Sequence, residues 1–91
     1  MKTRKEISVV RLENIKKTDR CIEAVYHPEN TDECGYIKMS LDGEVIEHRL
    51  APMEEGPHLK WYYVHARNQL EKYLNGTEKM PETGKALVMW Y

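Results

Sequence analysis

Alternating apolar residues in four successive segments, one run of helical period and a closing apolar segment predict a two-layer α+β sandwich. The order is β-β-β-β-α-β, a mainly antiparallel sheet with one amphipathic helix packed on one face. Three observations carry this expectation. Asp42-Gly43 stands between GYIKMSL and EVIEHRL, two segments that alternate in polarity. The run HLKWYYVHARNQLEKYL repeats its apolar side chains with the period of a helix. ALVMWY follows a loop rich in turn formers. A chain of 91 residues supports one hydrophobic core, so a single domain over residues 1–91 is expected.

Taken in order, residues 6–16, EISVVRLENIK, are rich in β-branched side chains and read as a first strand. The doubled Val9-Val10 breaks the alternation and suggests a bulge there. RCIEAVYH places Ile22, Ala24 and Tyr26 on one face, and PENTDE turns the chain into the next strand. Asp42-Gly43 fits a two-residue hairpin turn, which pairs Leu41 with Glu44, Met39 with Ile46, Ile37 with His48 and, on the other face, Ser40 with Val45, Lys38 with Glu47 and Tyr36 with Arg49. Matching apolar faces sets Ile22 opposite Met39 and Ala24 opposite Ile37, with Lys38 between Glu23 and Glu47. His27 then faces Cys34.

The helix is expected from Pro57, tolerated in a first turn, to Asn75-Gly76, which suits a left-handed cap. Turning successive residues by about 100° gathers Leu59, Tyr62, Tyr63, Ala66, Leu70, Tyr73 and Leu74 into one arc, the core face. Glu54 and Glu55 precede the helix N-terminus, where its dipole favours negative charge. Trp61 points away from the core arc, in a stripe with Val64, His65, Asn68 and Lys72. In the last strand both alternate sets, Ala86, Val88, Trp90 and Leu87, Met89, Tyr91, are apolar. A single helix covers one sheet face, so one of these sets lies on the uncovered face, near Val25, Tyr36 and Val45.

The net charge of −1 gives no overall attraction to nucleic acid or to an anionic membrane. Locally the charge is uneven: residues 1–20 carry +4, residues 21–56 carry −7 and residues 57–91 carry +2. Such blocks suit solvated loops or a docking surface. Neither a membrane span nor a signal-type stretch is present, and Cys21 and Cys34 fall at opposite ends of a hairpin, so a cytoplasmic protein without a disulfide is expected.

Chemistry-bearing patterns are sparse. His27 with Cys34 gives two metal ligands where zinc takes three or four, and no CxxC, HxxxH or HExxH spacing supplies the rest. Ser8 and Ser40 lie in strands without a GxSxG context. No cofactor is expected, and no catalytic residue is assigned. Lys60, Arg67 and Lys72 share the helix with Trp61, as in proteins that stack single-stranded nucleic acid, but Arg67 with Glu71 is more simply a helix-surface pair. Aromatic residues and methionine on two surfaces point instead to protein association. The expectation is a non-enzymatic interaction module, an adaptor, inhibitor or regulatory subunit, that forms a homodimer and has room for a heterologous protein partner. Its partner-binding candidates are Trp61, Val64, His65, Asn68, Lys72, Trp90 and Tyr91. Two alternatives stand beside it: a single-stranded nucleic-acid-binding accessory protein, and a small dimeric enzyme using His27, Cys34 or His48.

Overall fold

The computed structural model describes residues 8–56 and 60–90. Pro57, Leu59 and Tyr91 therefore lie outside the described residues. Among the described residues five strands form one sheet: β1 (Ser8–Lys17), β2 (Cys21–Pro28), β3 (Gly35–Ser40), β4 (Val45–Arg49) and β5 (Ala86–Trp90). A 3-10 turn, Pro52–Glu54, precedes the helix α1 (Trp61–Leu74). The sheet order is β4-β3-β2-β1-β5 and every neighbouring pair is antiparallel. The α+β architecture read from the sequence is the one observed.

The core is the layer between the sheet and α1. Val10, Leu12, Ile15, Ile22, Ala24, Tyr26, Ile37 and Met39 supply the sheet side, and Ala66, Leu70 and Tyr73 the helix side. Tyr62, Tyr63 and Leu74 pack at its margin as the helical period requires, and Gln69 is buried beside them although its polarity hides this in the sequence. The register of β2 on β3 is the expected one, from Cys21 opposite Ser40 to Tyr26 opposite Gly35. This ladder ends there, one pair short of His27 and Cys34. Lys38 does lie between Glu23 and Glu47, yet the Glu23 carboxylate accepts a hydrogen bond from the Tyr36 hydroxyl at 3.2 Å.

Two strand irregularities differ from expectation. At the β3–β4 hairpin the turn has three residues, because Ser40 exchanges backbone bonds with both Gly43 and Glu44: the Gly43 N–H donates to Ser40 O at 3.0 Å and the Ser40 N–H to Glu44 O at 2.8 Å. Gly43 takes φ +92, the left-handed conformation that such a bulged turn needs. Tyr36, Ile37 and Lys38 keep the partners expected for them, but Met39 meets Val45 in place of Ile46. Val45 consequently packs against the core, not on the uncovered face, and Ile46 is left exposed.

In β1 the bulge lies at Asn14 and not at Val9-Val10. Glu13 pairs with Val25 and Lys16 with Glu23, so two residues oppose Ala24 alone. Asn14 adopts φ 55, and asparagine tolerates that conformation better than most side chains. The extra residue shifts the parity of the strand, so Ile15 follows Val10 and Leu12 into the core.

Glu54 ties the layers together. It is a buried carboxylate, accepting the Tyr26 hydroxyl at 2.8 Å on one oxygen and the N–H groups of Tyr62 and Tyr63 at 2.7 and 3.1 Å on the other. Lys60, the residue before the helix, makes no side-chain cap, so Glu54 satisfies two orphan donors of the first turn from outside the helix. The Tyr26 hydroxyl in turn accepts the Ala51 N–H at 3.1 Å. Burial, with the neighbouring Glu54 carboxylate acting in the same direction and the Ala51 bond against it, holds the Tyr26 phenol far above its usual value. At the other end Gly76 takes φ +79 just beyond Asn75, the left-handed cap expected there.

Candidate interaction surfaces

α1 crosses β2 and β1 and reaches β5, which sets the flank of the helix, not only its core arc, against a strand. The consequence falls on the aromatic stripe. His65 stacks on Trp90 with ring centroids 3.8 Å apart and planes 15° from parallel. Tyr62 meets Trp90 edge to face at 5.6 Å, and Trp61 leans toward His65 at 6.4 Å. Ser8, Trp61, Tyr62, His65 and Trp90 line a groove of about 400 Å³. Trp61 remains 53% exposed at its mouth.

Of the sequence-predicted residues, the fold thus joins Trp61, His65 and Trp90 in one place. Val64 is half-buried, and Asn68 and Lys72 are exposed further along the helix, outside the groove lining. Arg67 reaches the Asn68 side chain at 3.4 Å and not Glu71. Two lining residues escaped sequence reasoning. Tyr62 counted only as core, although an aromatic at the edge of the arc can serve both, and Ser8 carried no signal.

Strained backbone outside the groove lining holds Tyr62 in place. Glu29 and Asn30 both adopt left-handed φ, 52 and 59, in the β2–β3 connection. A glutamate rarely takes that conformation. Here it brings the carboxylate within 2.8 Å of the Tyr62 hydroxyl and 3.3 Å of the Val9 N–H, each of which donates to it. Burial of Tyr62, reinforced by the Glu29 charge, pushes the phenol up to about 12. Burial moves His65 the opposite way, below its usual value, and the Lys72 charge adds to this. The groove therefore presents neutral aromatic rings near neutral pH.

The outer face of β5 is the second surface. Ala86, Val88 and Trp90 turn to the helix, while Leu87 and Met89 are 58% and 64% exposed on the uncovered face. Met89 lies beside Val9 in the ladder, and Leu87 beside Arg11. A polar cluster borders this patch: Arg11 pairs with Glu13 at 2.9 Å and reaches the Asn30 side chain, and His27 faces Glu13 at 3.6 Å. The other ring nitrogen of His27 is bound to the Thr31 carbonyl at 3.0 Å. His48 lies against the Tyr63 ring, 5.3 Å away.

The two sheet edges are unlike. β4 carries Glu47, Arg49 and the Ile46 irregularity, devices that discourage pairing with another strand. β5 has the sequence ALVMW, without charge or proline, and its five pairs to β1 run without a register shift. Among the described residues no strand occupies its outer side.

Among the described residues no group of three or more His, Cys, Asp or Glu converges to hold a metal ion, and no helix is long and apolar enough to cross a membrane. Cys21 and Cys34 are both free thiols. Compared with protein-family models, curated proteins and solved structures, the chain matches none.

Proposed function

We propose that this chain is a non-catalytic protein-interaction module that self-associates through its C-terminal strand and the adjoining sheet face, and offers the aromatic groove to a further protein. The observation that carries this reading is β5, an unguarded edge strand whose Leu87 and Met89 stand in solvent. Exposed apolar side chains on an uncharged edge favour association, and the opposite edge has the features that prevent it. The groove supports a second contact, since tryptophan and tyrosine in a partly desolvated hollow are what protein interfaces use as anchors. The free thiols fit a cytoplasmic setting, where cysteines are kept reduced.

Light scattering over a dilution series from high to low micromolar tests this. The expected result is a dimer at high concentration that a Leu87→Lys, Met89→Lys double variant converts to a folded monomer. Wild-type protein that stays monomeric throughout would remove self-association.

A further inference from the structure

Where the backbone groups of β5 point decides how a partner meets it. The Glu29 N–H donates to Val9 O at 2.8 Å, so Val9 turns its backbone toward β2. Alternate residues of an antiparallel strand serve opposite neighbours, so Val10 and Leu12 turn theirs toward β5. Their partners Val88 and Ala86 answer toward β1. Gly84 keeps the same parity, its carbonyl accepting the Ile15 N–H at 3.0 Å. Leu87 and Met89 therefore aim both N–H and C=O away from β1. These are strong hydrogen-bonding groups along an edge that no described residue covers.

Resting on the self-association proposed above, we infer that β5 pairs edge to edge, antiparallel, with β5 of a second copy about a two-fold axis at Val88. The two sheets then run on as one, and the partner subunit's Ala86 lies beside Trp90 at the rim of the aromatic groove. Centring on Val88 is the two-fold register that overlaps the whole of Ala86–Trp90. Leu87 meets the partner's Met89, both with outward backbone groups, and the reciprocal pair forms across the axis. The smallest side chain, Ala86, faces the largest, Trp90, so their volumes complement each other. No charge in the segment opposes its own copy. The axis stands perpendicular to the sheet, so both helices fall on one side. The groove of each subunit, walled by Trp90 on β5, borders the new strand.

Amide exchange on the wild-type chain reads this directly. Leu87 and Met89 amides are expected to slow by on the order of tenfold or more between low and high micromolar protein, while the Val88 amide, bonded to β1 in either state, changes far less. A second measurement uses Val88→Cys in a Cys21→Ser, Cys34→Ser background. Opposed residues of a non-hydrogen-bonded antiparallel pair have Cα atoms about 4.5 Å apart, within disulfide reach, so mild oxidation should give a covalent dimer. Leu87→Cys should not. A dimer by light scattering whose Leu87 and Met89 amides exchange at one rate at all concentrations overturns edge pairing and leaves association through the sheet face. A monomer throughout overturns both.

Discussion

Replacing Tyr26 with phenylalanine deletes one oxygen atom from the centre of the core, and the structure fixes what that oxygen does. It donates to the Glu54 carboxylate at 2.8 Å and accepts the Ala51 N–H at 3.1 Å, at a side chain with no solvent exposure. Its loss removes a hydrogen bond to a charged group, about 1.5–3 kcal/mol, and leaves the N–H of the fully buried Ala51 without that acceptor, about 1–3 kcal/mol if nothing relaxes. Partial relaxation brings the expected cost of Tyr26→Phe to about 2–4 kcal/mol. Glu54→Gln is expected to cost a similar amount, because an amide has one oxygen and cannot accept from the Tyr26 hydroxyl at one end and from the helix N–H groups at the other. The two side chains share one bond, so the double variant should lose about 1–2 kcal/mol less than the sum. Urea unfolding at neutral pH with an unchanged slope gives these differences. Tyr36→Phe, which loses only the 3.2 Å bond to Glu23 on the open face, is the control and should stay within about 0.5 kcal/mol. A Tyr26→Phe cost no greater than this control, or strict additivity with Glu54→Gln, would refute the idea of one coupled network. The same node has an alkaline signature. A phenol held above its usual 10 contributes stability that is complete below pH 10 and is lost as pH rises through the folded value. Tyr26→Phe should therefore flatten the fall of stability above pH 10, leaving the share of Tyr62, which runs from 10 to about 12, and those of Tyr36 and Tyr73, whose phenols are also raised.

Asn14 carries the β1 bulge at φ 55, so Asn14→Val should cost about 1–2 kcal/mol while Asn14→Gly stays near zero; equal costs in thermal unfolding would mean that the bulge is not what makes the position demanding. His65 lies 3.8 Å from Trp90, and a protonated imidazole quenches indole emission, so tryptophan fluorescence should fall on acidification with a midpoint below 6.5. Because the folded value is depressed, the contribution of His65 to stability is present above pH 6.5 and lost as pH falls through that midpoint. A midpoint above 6.5 would show that attraction between the cation and the Trp90 ring outweighs desolvation. His65→Gln should abolish the step.

The parts of this fold that the sequence announces are those with strict periodicity. Ile22, Ala24 and Tyr26 against Ile37 and Met39 leave one register for β2 and β3, since a slip of one residue would put every core side chain in water. The bulge in β1 was written in the chain too, as the change of parity from Val10 and Leu12 to Ile15, with an asparagine in between. The Val9-Val10 doublet concealed it, because Val9 is only half-buried and belongs to the other face. At the β3–β4 turn, Asp42-Gly43 is compatible with either two or three loop residues, and Met39 finds an apolar partner in Val45 as readily as in Ile46. Local pattern does not separate those cases. Glu54 was legible as a charge at the helix N-terminus. Its bond to Tyr26, 28 residues away, follows only from the packing of two layers.

The aromatic stripe shows the same limit from the functional side. A helical period gives the direction of Trp61 and His65 about the axis of α1, but not where that axis lies over the sheet. Because α1 extends to β5, the flank opposite the core arc meets a strand end, and His65 acquires Trp90 as its partner. The floor of the groove is consequently held from several directions. Glu54 fixes the first turn of the helix, Glu29 fixes the Tyr62 hydroxyl, and the stack fixes His65. Trp61, over half exposed, has the freedom to adapt. A rigid floor lowers the entropy lost on binding, and an exposed ring at the mouth supplies contact area. Trp90 belongs to both surfaces, as the groove wall and as the last residue of the open edge. Occupation of the edge by a second copy thereby bears on the groove through Trp90, whereas Trp61 communicates with the groove alone.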